Sequence, residues 1–240
     1  MNTKGLKNLW KTVFGDSDLF IDAFFEIAFS PDRCCYKEED GQIISSLYWL
    51  DCSWEGKQIA YIYAVATHPA HRGKGLASRL LQQAHRILKE RGYAGAVLKP
   101  AKGLFPFYER LGYVTSGFVD FFEATAAEIP VPLKRLSEAE HALLRHQLLP
   151  KDGICQSNVT LEFFHRFAQV YGANGALICI DPEEKTVLEY LGDPSSVPGI
   201  LTALGIAHAR IRTPGKAHPF VMYFPLNCTK IPGYLGITLE

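Results

Sequence analysis

One stretch of the sequence restricts the fold more than any other. Residues 58–66 form an apolar run rich in aromatic and β-branched side chains, and it passes through Thr67, His68, Pro69, Ala70 and His71 into Arg72-Gly73-Lys74-Gly75. Residues 76–91 follow without a gap and place Leu76, Leu80, Leu81, Ala84, Ile87 and Leu88 on one helical face, with Gly92 as a C-terminal stop. The order is strand, glycine-rich turn, helix. A helix N-terminus carries unpaired N–H donors and the positive end of the dipole, and glycines let backbone approach an anion with no Cβ between. An anion is therefore expected at the turn, closest to the backbone N–H groups of residues 73–77, with Arg72 and Lys74 adding charge. Two better-known phosphate loops are absent: there is no GxxxxGK[ST], and no GxGxxG with an acidic residue about 20 positions on.

The flanking sequence fills out the fold. Residues 5–14 and 18–29 repeat apolar side chains at helical intervals (Leu6, Leu9, Trp10, Val13, then Leu19, Ile21, Phe24, Phe25, Ala28), with Asp16 or Ser17 as a cap. Residues 33–38, 43–53 and 58–66 are strand-like, and the turn chemistry of Glu39-Asp40-Gly41 and Trp54-Glu55-Gly56-Lys57 makes them an antiparallel meander. After the amphipathic helix come a short buried strand at 94–98, a short helix at 106–111 opened by Pro106, and a strand at 113–123. Ile129-Pro130-Val131-Pro132 favours an extended connector, so the domain boundary is placed there: residues 1–128 and residues 129–240. Beyond it, Ser137-Glu138-Ala139-Glu140 matches a capping box, residues 160–171 are predicted as a second helix, and a short helix falls near 197–204. Strands are predicted at 175–181, 186–191, 209–213, 220–226 and 234–239. The expected class is α/β (α+β), a mixed and mostly antiparallel sheet flanked by helices with a second, smaller α/β lobe.

Composition then excludes several functions. Apolar residues make up 48% and charged residues 21% of the 240, a globular balance. Lys plus Arg (25) equals Asp plus Glu (25), so no field draws the chain to nucleic acid or to anionic lipid. The first ten residues hold neither a signal peptide nor a membrane span, and a cytoplasmic location is expected. Six cysteines without CxxC spacing or paired histidines in register point to reduced, mostly buried thiols and to no metal.

Arg72-Gly73-Lys74-Gly75-Leu76-Ala77 fits [RQ]xxGx[GA], the acyl-coenzyme A signature of the GNAT superfamily of N-acetyltransferases, and residues 65–69 resemble the end of that family's fourth strand. The order of elements from 5 to 123 is similar too, so the resemblance covers about half of the chain. It implies that Val65, Ala66 and Thr67 hold the pantetheine and thioester end, and that Arg72, Gly73, Lys74, Gly75, Leu76 and Ala77 hold the pyrophosphate. Phe107-Tyr108-Glu109-Arg110-Leu111-Gly112-Tyr113 resembles the family's FYxxxGF segment, whose tyrosine faces the thiolate leaving group. One departure is Lys99-Pro100-Ala101-Lys102-Gly103, where many members carry an asparagine. The second lobe has no such signature, and the acidic residue of Gly192-Asp193-Pro194-Ser195 would repel a pyrophosphate, so it resembles a degenerate GNAT-like half without a cofactor site. Two roles are open to it: walling off an acceptor pocket, or supplying a homodimer interface.

Aminolysis of a thioester needs a neutral amine, donors for the oxyanion and an acid near sulfur as the thiolate departs. A phenol can serve as that acid, which singles out Tyr108. Spacing selects no general base among Glu55, His68, Asp120, Glu123 and Glu240. The His68-Pro69 step favours a loop-stabilising role for His68, and resemblance to GNAT enzymes with added C-terminal lobes, which use a chain-terminal carboxylate, brings in Glu240. No cysteine has the sequence context of an activated thiolate, so direct attack in a ternary complex is favoured over a covalent route. The expectation is acetyl transfer from acetyl-CoA, as cosubstrate, to a primary amine on a small molecule or peptide. The alternative is a non-catalytic module that binds or senses acyl-CoA.

Overall fold

A computed structural model describes residues 2–184 and 186–239. They fall into two compact units, the first running to Val114 and regaining Met222–Ile231, the second holding Thr115–Val221 and the residues from Pro232 on.

In the first unit, α1 (Thr3–Phe14) opens where Asn2 Oδ1 accepts from Gly5 N at 2.8 Å, and it closes at the left-handed Gly15. Ser17 caps α2 (Asp18–Ala23), and the helical run then widens into a π turn at Phe24–Ala28. The wider turn lets Phe24, Phe25 and Phe29 all reach the Trp10–Tyr48 cluster, with ring centroids at 4.7 Å (Phe24–Trp10), 6.3 Å (Phe25–Trp10) and 6.0 Å (Phe29–Tyr48). The predicted meander is present as β1 (Cys34–Glu39), β2 (Gln42–Trp54) and β3 (Lys57–Thr67), each antiparallel to its neighbour. Asp40-Gly41 and Glu55-Gly56 turn the chain with positive φ at both residues, the twist that two-residue hairpin turns require. Next come α3 (Leu76–Glu90), β4 (Gly95–Leu98) parallel to β3, and α4 (Phe105–Glu109). The other edge of β4 takes Met222–Pro225 antiparallel, from Met222 opposite Leu98 to Pro225 opposite Gly95. The sheet is buried on both faces. Leu80, Leu81, Ala84 and Leu88 of α3 join Leu47, Trp49, Ala60, Ile62, Ala96 and Leu98 on one side. Trp10 of α1 packs on Tyr48 and Tyr63 on the other, at 5.4 and 5.5 Å. Each fully buried leucine here contributes about 2 kcal/mol.

In the second unit, β5 (Val114–Thr125) is followed by β6 (Lys134–Arg135), then by α5 (Glu138–Leu148), which opens on the predicted capping box of Ser137 and Glu140. After β7 (Cys155–Gln156) and α6 (Asn158–His165) come β8 (Gln169–Ala173), β9 (Ala176–Ile180), β10 (Val187–Leu191), α7 (Val197–Leu204), β11 (His208–Pro214) and β12 (His218–Pro225), whose second half is the strand that joins the first unit. β5 and β11 pair antiparallel, and a four-stranded sheet has the order β10-β9-β8-β6.

Two sequence expectations are corrected here. The helix predicted over 160–171 ends at His165, and Gln169–Ala173 is a strand instead, because Asn174 and Gly175 (φ 49° and 76°) fold it back onto β9 as a hairpin. The strand predicted at 234–239 is absent apart from a single bridge between Gly153 and Tyr234. Buried side chains take up its carbonyls: Arg145 Nη2 donates to Leu235 O at 2.7 Å, and Gln156 Nε2 donates to Leu235 O and Ile237 O at 3.2 and 3.0 Å. Arg145 is in turn held by both oxygens of the buried Glu189, at 2.8 and 3.0 Å. The compact units divide at Val114/Thr115, whereas the change in composition sits at residue 129. The proline-containing stretch is tied down within the second unit, where Val131 N donates to Gly199 O and Ala127 N to Pro198 O.

Candidate active site

β3 and β4 pair over three positions only, Ile59–Gly95, Ala60–Ala96 and Tyr61–Val97. β3 then runs on to Thr67, and only β2 and β4 pair with it among the described strands, so the β4-facing edge of Ile62–Thr67 has no strand beside it. A bulge marks this departure. Tyr48 of β2 faces Tyr63 and Ser46 faces Ala66, so Ala64 and Val65 together oppose Leu47, and Ala64 is left-handed at φ 47°. A bulge bends its strand and raises the local twist, which suits an edge that must leave its neighbour. Beyond it, Ser45 Oγ donates to Ala66 O at 2.7 Å, and Arg72 Nε donates to Thr67 O at 3.3 Å.

The chain leaves β3 through His68, whose Nδ1 accepts from Ala70 N at 3.3 Å and caps a single 3₁₀ turn, Pro69–His71. This is the loop-stabilising role expected for it. Gly73 and Gly75 are both left-handed, at φ 77° and 71°. A Cβ on Gly73 would meet no atom within 4 Å, so conformation and not space demands glycine there. Gly75 is the N-cap of α3, with no side-chain cap and no acidic residue in the first turn. The amides of Leu76, Ala77 and Ser78 thus precede the first intrahelical bond, Arg79 N to Gly75 O, and have no capping side chain. Leu76 is buried and anchors the turn, while Arg72 and Lys74 are exposed beside it. Arg79 adds a third cation, with Nη1 3.3 Å from where a Gly75 Cβ would sit. Its position four residues after Gly75, one turn on, is the signal that would have found it.

Tyr108 sits on α4, only 6% exposed, in the same apolar cluster as Leu98 and with Val65 packed against that cluster. Phe107 and Tyr113 meet its ring edge-on at 5.0 and 5.5 Å, and burial pushes its phenol up to about 12. The splayed strand pair, the open helix start and the buried tyrosine therefore belong to one unit, and they occur in the order that the family signature implies.

The family model of the acetyltransferase (GNAT) domain matches residues 2–115. Residues 2–115 are a GNAT acetyltransferase domain. None of the curated proteins matches the sequence. Among solved structures, the chain is similar to a GCN5-related N-acetyltransferase from Anabaena variabilis, with TM-score 0.71 and 16% identity over 94% of this chain and 71% of that one. A GCN5-related N-acetyltransferase from Kribbella flavida gives TM-score 0.68 and 15% identity over 93% and 68%. Eis1 from Mycobacterium abscessus gives 0.65 and 10% over 93% and 71%. These likenesses show the fold.

The other candidates from the sequence are dispersed. Glu55 belongs to the GNAT domain but lies before Lys57, at the opposite end of β3 from Thr67, roughly 30 Å away by strand rise, and is bonded to Lys230. In the second unit, Asp120 accepts from Lys216 N and Ala217 N at 2.9 and 2.8 Å, and those bonds hold its carboxyl below the usual carboxylate range. Glu123 lies 3.4 Å from His208. Glu240 lies outside the described residues. Before α7, Asp193 Oδ1 accepts from Ser195 N at 2.9 Å, so its own carboxylate takes the turn amide that a phosphate would need. Folding does bring His141, Cys179 and Glu189 within 4.8 Å of one another, a grouping that spacing did not predict. A cation fits poorly there: Arg145 takes both Glu189 oxygens, and His141 Nδ1 is 2.9 Å from His165 Nε2. No helix among the described residues is long and apolar enough to cross a membrane.

Proposed function

We propose that this chain transfers an acetyl group from acetyl-CoA to a primary amine by direct attack in a ternary complex. The observation that carries the reading is the free edge of β3, Ile62–Thr67, running into an uncapped helix start. Pantetheine is an amide chain, and an unpaired strand edge bonds such a chain as it would another strand. In this reading Val65, Ala66 and Thr67 hold it, while the amides of Gly73 to Ala77, with Arg72, Lys74 and Arg79, hold the pyrophosphate. The amine nitrogen attacks the thioester carbonyl, the C–S bond breaks, an amide forms and CoA leaves as thiolate. The proton that the amine sheds balances the thiolate. Burial raises the Tyr108 phenol to about 12, above the range of an ordinary thiol, so full transfer of its proton to the thiolate is unfavourable. Tyr108 acts instead by donating a hydrogen bond to sulfur, a bond that strengthens as charge collects there.

A second reading, a module that binds acyl-CoA without turnover, is favoured by one observation: Glu55, His68, Asp120 and Glu123 each have a structural partner already. Glu240 remains the candidate base in the catalytic reading. A panel of small-molecule and peptide primary amines, read by thiol release above hydrolysis, separates the two. Turnover on any amine establishes the transferase; tight CoA binding by calorimetry with no turnover across the panel establishes the sensor, and no binding of CoA overturns both.

A further inference from the structure

Where the FYxxxGF segment ends in an apolar ring, this chain has Tyr113, and its hydroxyl is deep inside the first unit. Tyr113 is 2% exposed, and His85 Nε2 on α3 lies 2.8 Å from its oxygen. His85 is itself buried, at 8% exposure, and stacks on Phe224 with ring centroids 3.9 Å apart and planes 12° from parallel. Phe224 also touches Tyr113, at 5.3 Å. The loop between the two tyrosines is drawn tight: Tyr113 N donates to Tyr108 O at 3.1 Å, and Gly112 is left-handed at φ 92°. A Cβ on Gly112 would lie 3.1 Å from Phe224. Tyr108, by contrast, rides on the five residues of α4, too few to hold a helix by themselves.

We infer that Tyr113 and His85 are positioning residues for Tyr108, a hydrogen-bonded pair, backed by Phe224, that fixes the depth and rotation of the Tyr108 ring. The inference rests on the acetyl-transfer reading for its consequence in catalysis, and on geometry alone for its effect on the ring. A phenylalanine at 113 would fill the same space, so packing does not account for the hydroxyl. What the hydroxyl adds is a fixed direction: it ties the ring that meets Tyr108 edge-on, at 71° between planes, to His85 on the fifteen-residue helix α3. Burial lowers the His85 imidazole to about 4, so the pair stays neutral through the working pH range and the support does not switch.

Tyr113→Phe and His85→Phe test this. Each is expected to lower kcat about 3- to 10-fold, the effect of a sub-ångström misplacement, with CoA affinity unchanged. In a Tyr108→Phe background Tyr113→Phe should then change kcat no further, because no hydroxyl is left to aim. An equal loss in both backgrounds, or no loss in either, overturns the inference. The ring itself gives a readout free of turnover: with 3-fluorotyrosine at position 108, the ¹⁹F line should be single and narrow in the parent and broadened or split in Tyr113→Phe. Identical lines overturn the inference whether or not any amine is acetylated. Differing lines in a protein that acetylates nothing uphold the support and sink only the transferase reading.

Discussion

Tyr108 and Gly75 carry different burdens, and single substitutions separate them. If the Tyr108 hydroxyl bonds mainly to a developing thiolate, Tyr108→Phe removes a contact made in the transition state, so kcat should fall by about 10²-fold with CoA affinity nearly unchanged. Steady-state kinetics with one good acceptor checks this; an unchanged kcat, where chemistry limits the rate, removes Tyr108 from the mechanism. Gly75 bears on binding alone. Gly75→Glu places a carboxylate where an anion should lie and should abolish CoA binding in calorimetry, while far-UV circular dichroism stays the same. Asparagine tolerates the left-handed φ of 71° without adding charge, so Gly75→Asn should keep most of the affinity. Equal loss in both would assign the effect to backbone strain.

Among the elements, the β3 bulge and α3 are the parts that open the site. Valine adopts a left-handed backbone far less readily than alanine, so Ala64→Val should destabilise the protein by about 1 to 2 kcal/mol and weaken CoA binding, while Ala64→Gly stays close to neutral. Thermal melts with and without CoA report both effects. On α3, the buried His85 ties stability to pH. Its folded value near 4 lies below the ordinary 6.5, so the unfolded chain binds the extra proton first, and stability should fall as pH drops from about 6.5 to 4. The loss amounts to about 3 kcal/mol, and His85→Gln should lose less over the same interval in urea titrations. These elements differ in how far the sequence showed them. The strand, cradle and helix of residues 58–91 were legible because their determinants are local: apolar period, two glycines, one stop. The bulge was not, since an alanine at φ 47° leaves no compositional trace. The β8–β9 hairpin was missed, because the apolar spacing of residues 160–171 pointed to a helix, although Asn174-Gly175 carries the chemistry of a two-residue turn. The cluster of Arg145, Gln156, Glu189 and Leu235 joins residues far apart in the chain, which no periodicity reports.

At the scale of the molecule, the first compact unit is not one continuous segment. Met222 is fully buried in its core, Tyr223 hydroxyl donates to Ala94 O at 3.1 Å, and Asn227 Nδ2 donates to Lys89 O and Tyr93 O at 3.0 and 2.9 Å. A fragment of residues 1–128 should therefore lack a cooperative unfolding transition, and the same fragment with residues 222–231 joined through a flexible linker should regain one. A sharp transition in the short fragment would show that the returning strand is dispensable. The same feature sets a delay during synthesis. About a hundred residues separate Val114 from Met222, so at ribosomal speeds the first half waits roughly 5 to 20 s with one edge of β4 bare. A bare edge of apolar strand invites pairing with another chain. Yield in cells should then depend on what shields nascent chains: slower translation of residues 115–221 should increase aggregation, and added trigger-type or Hsp70-type holding capacity should reduce it.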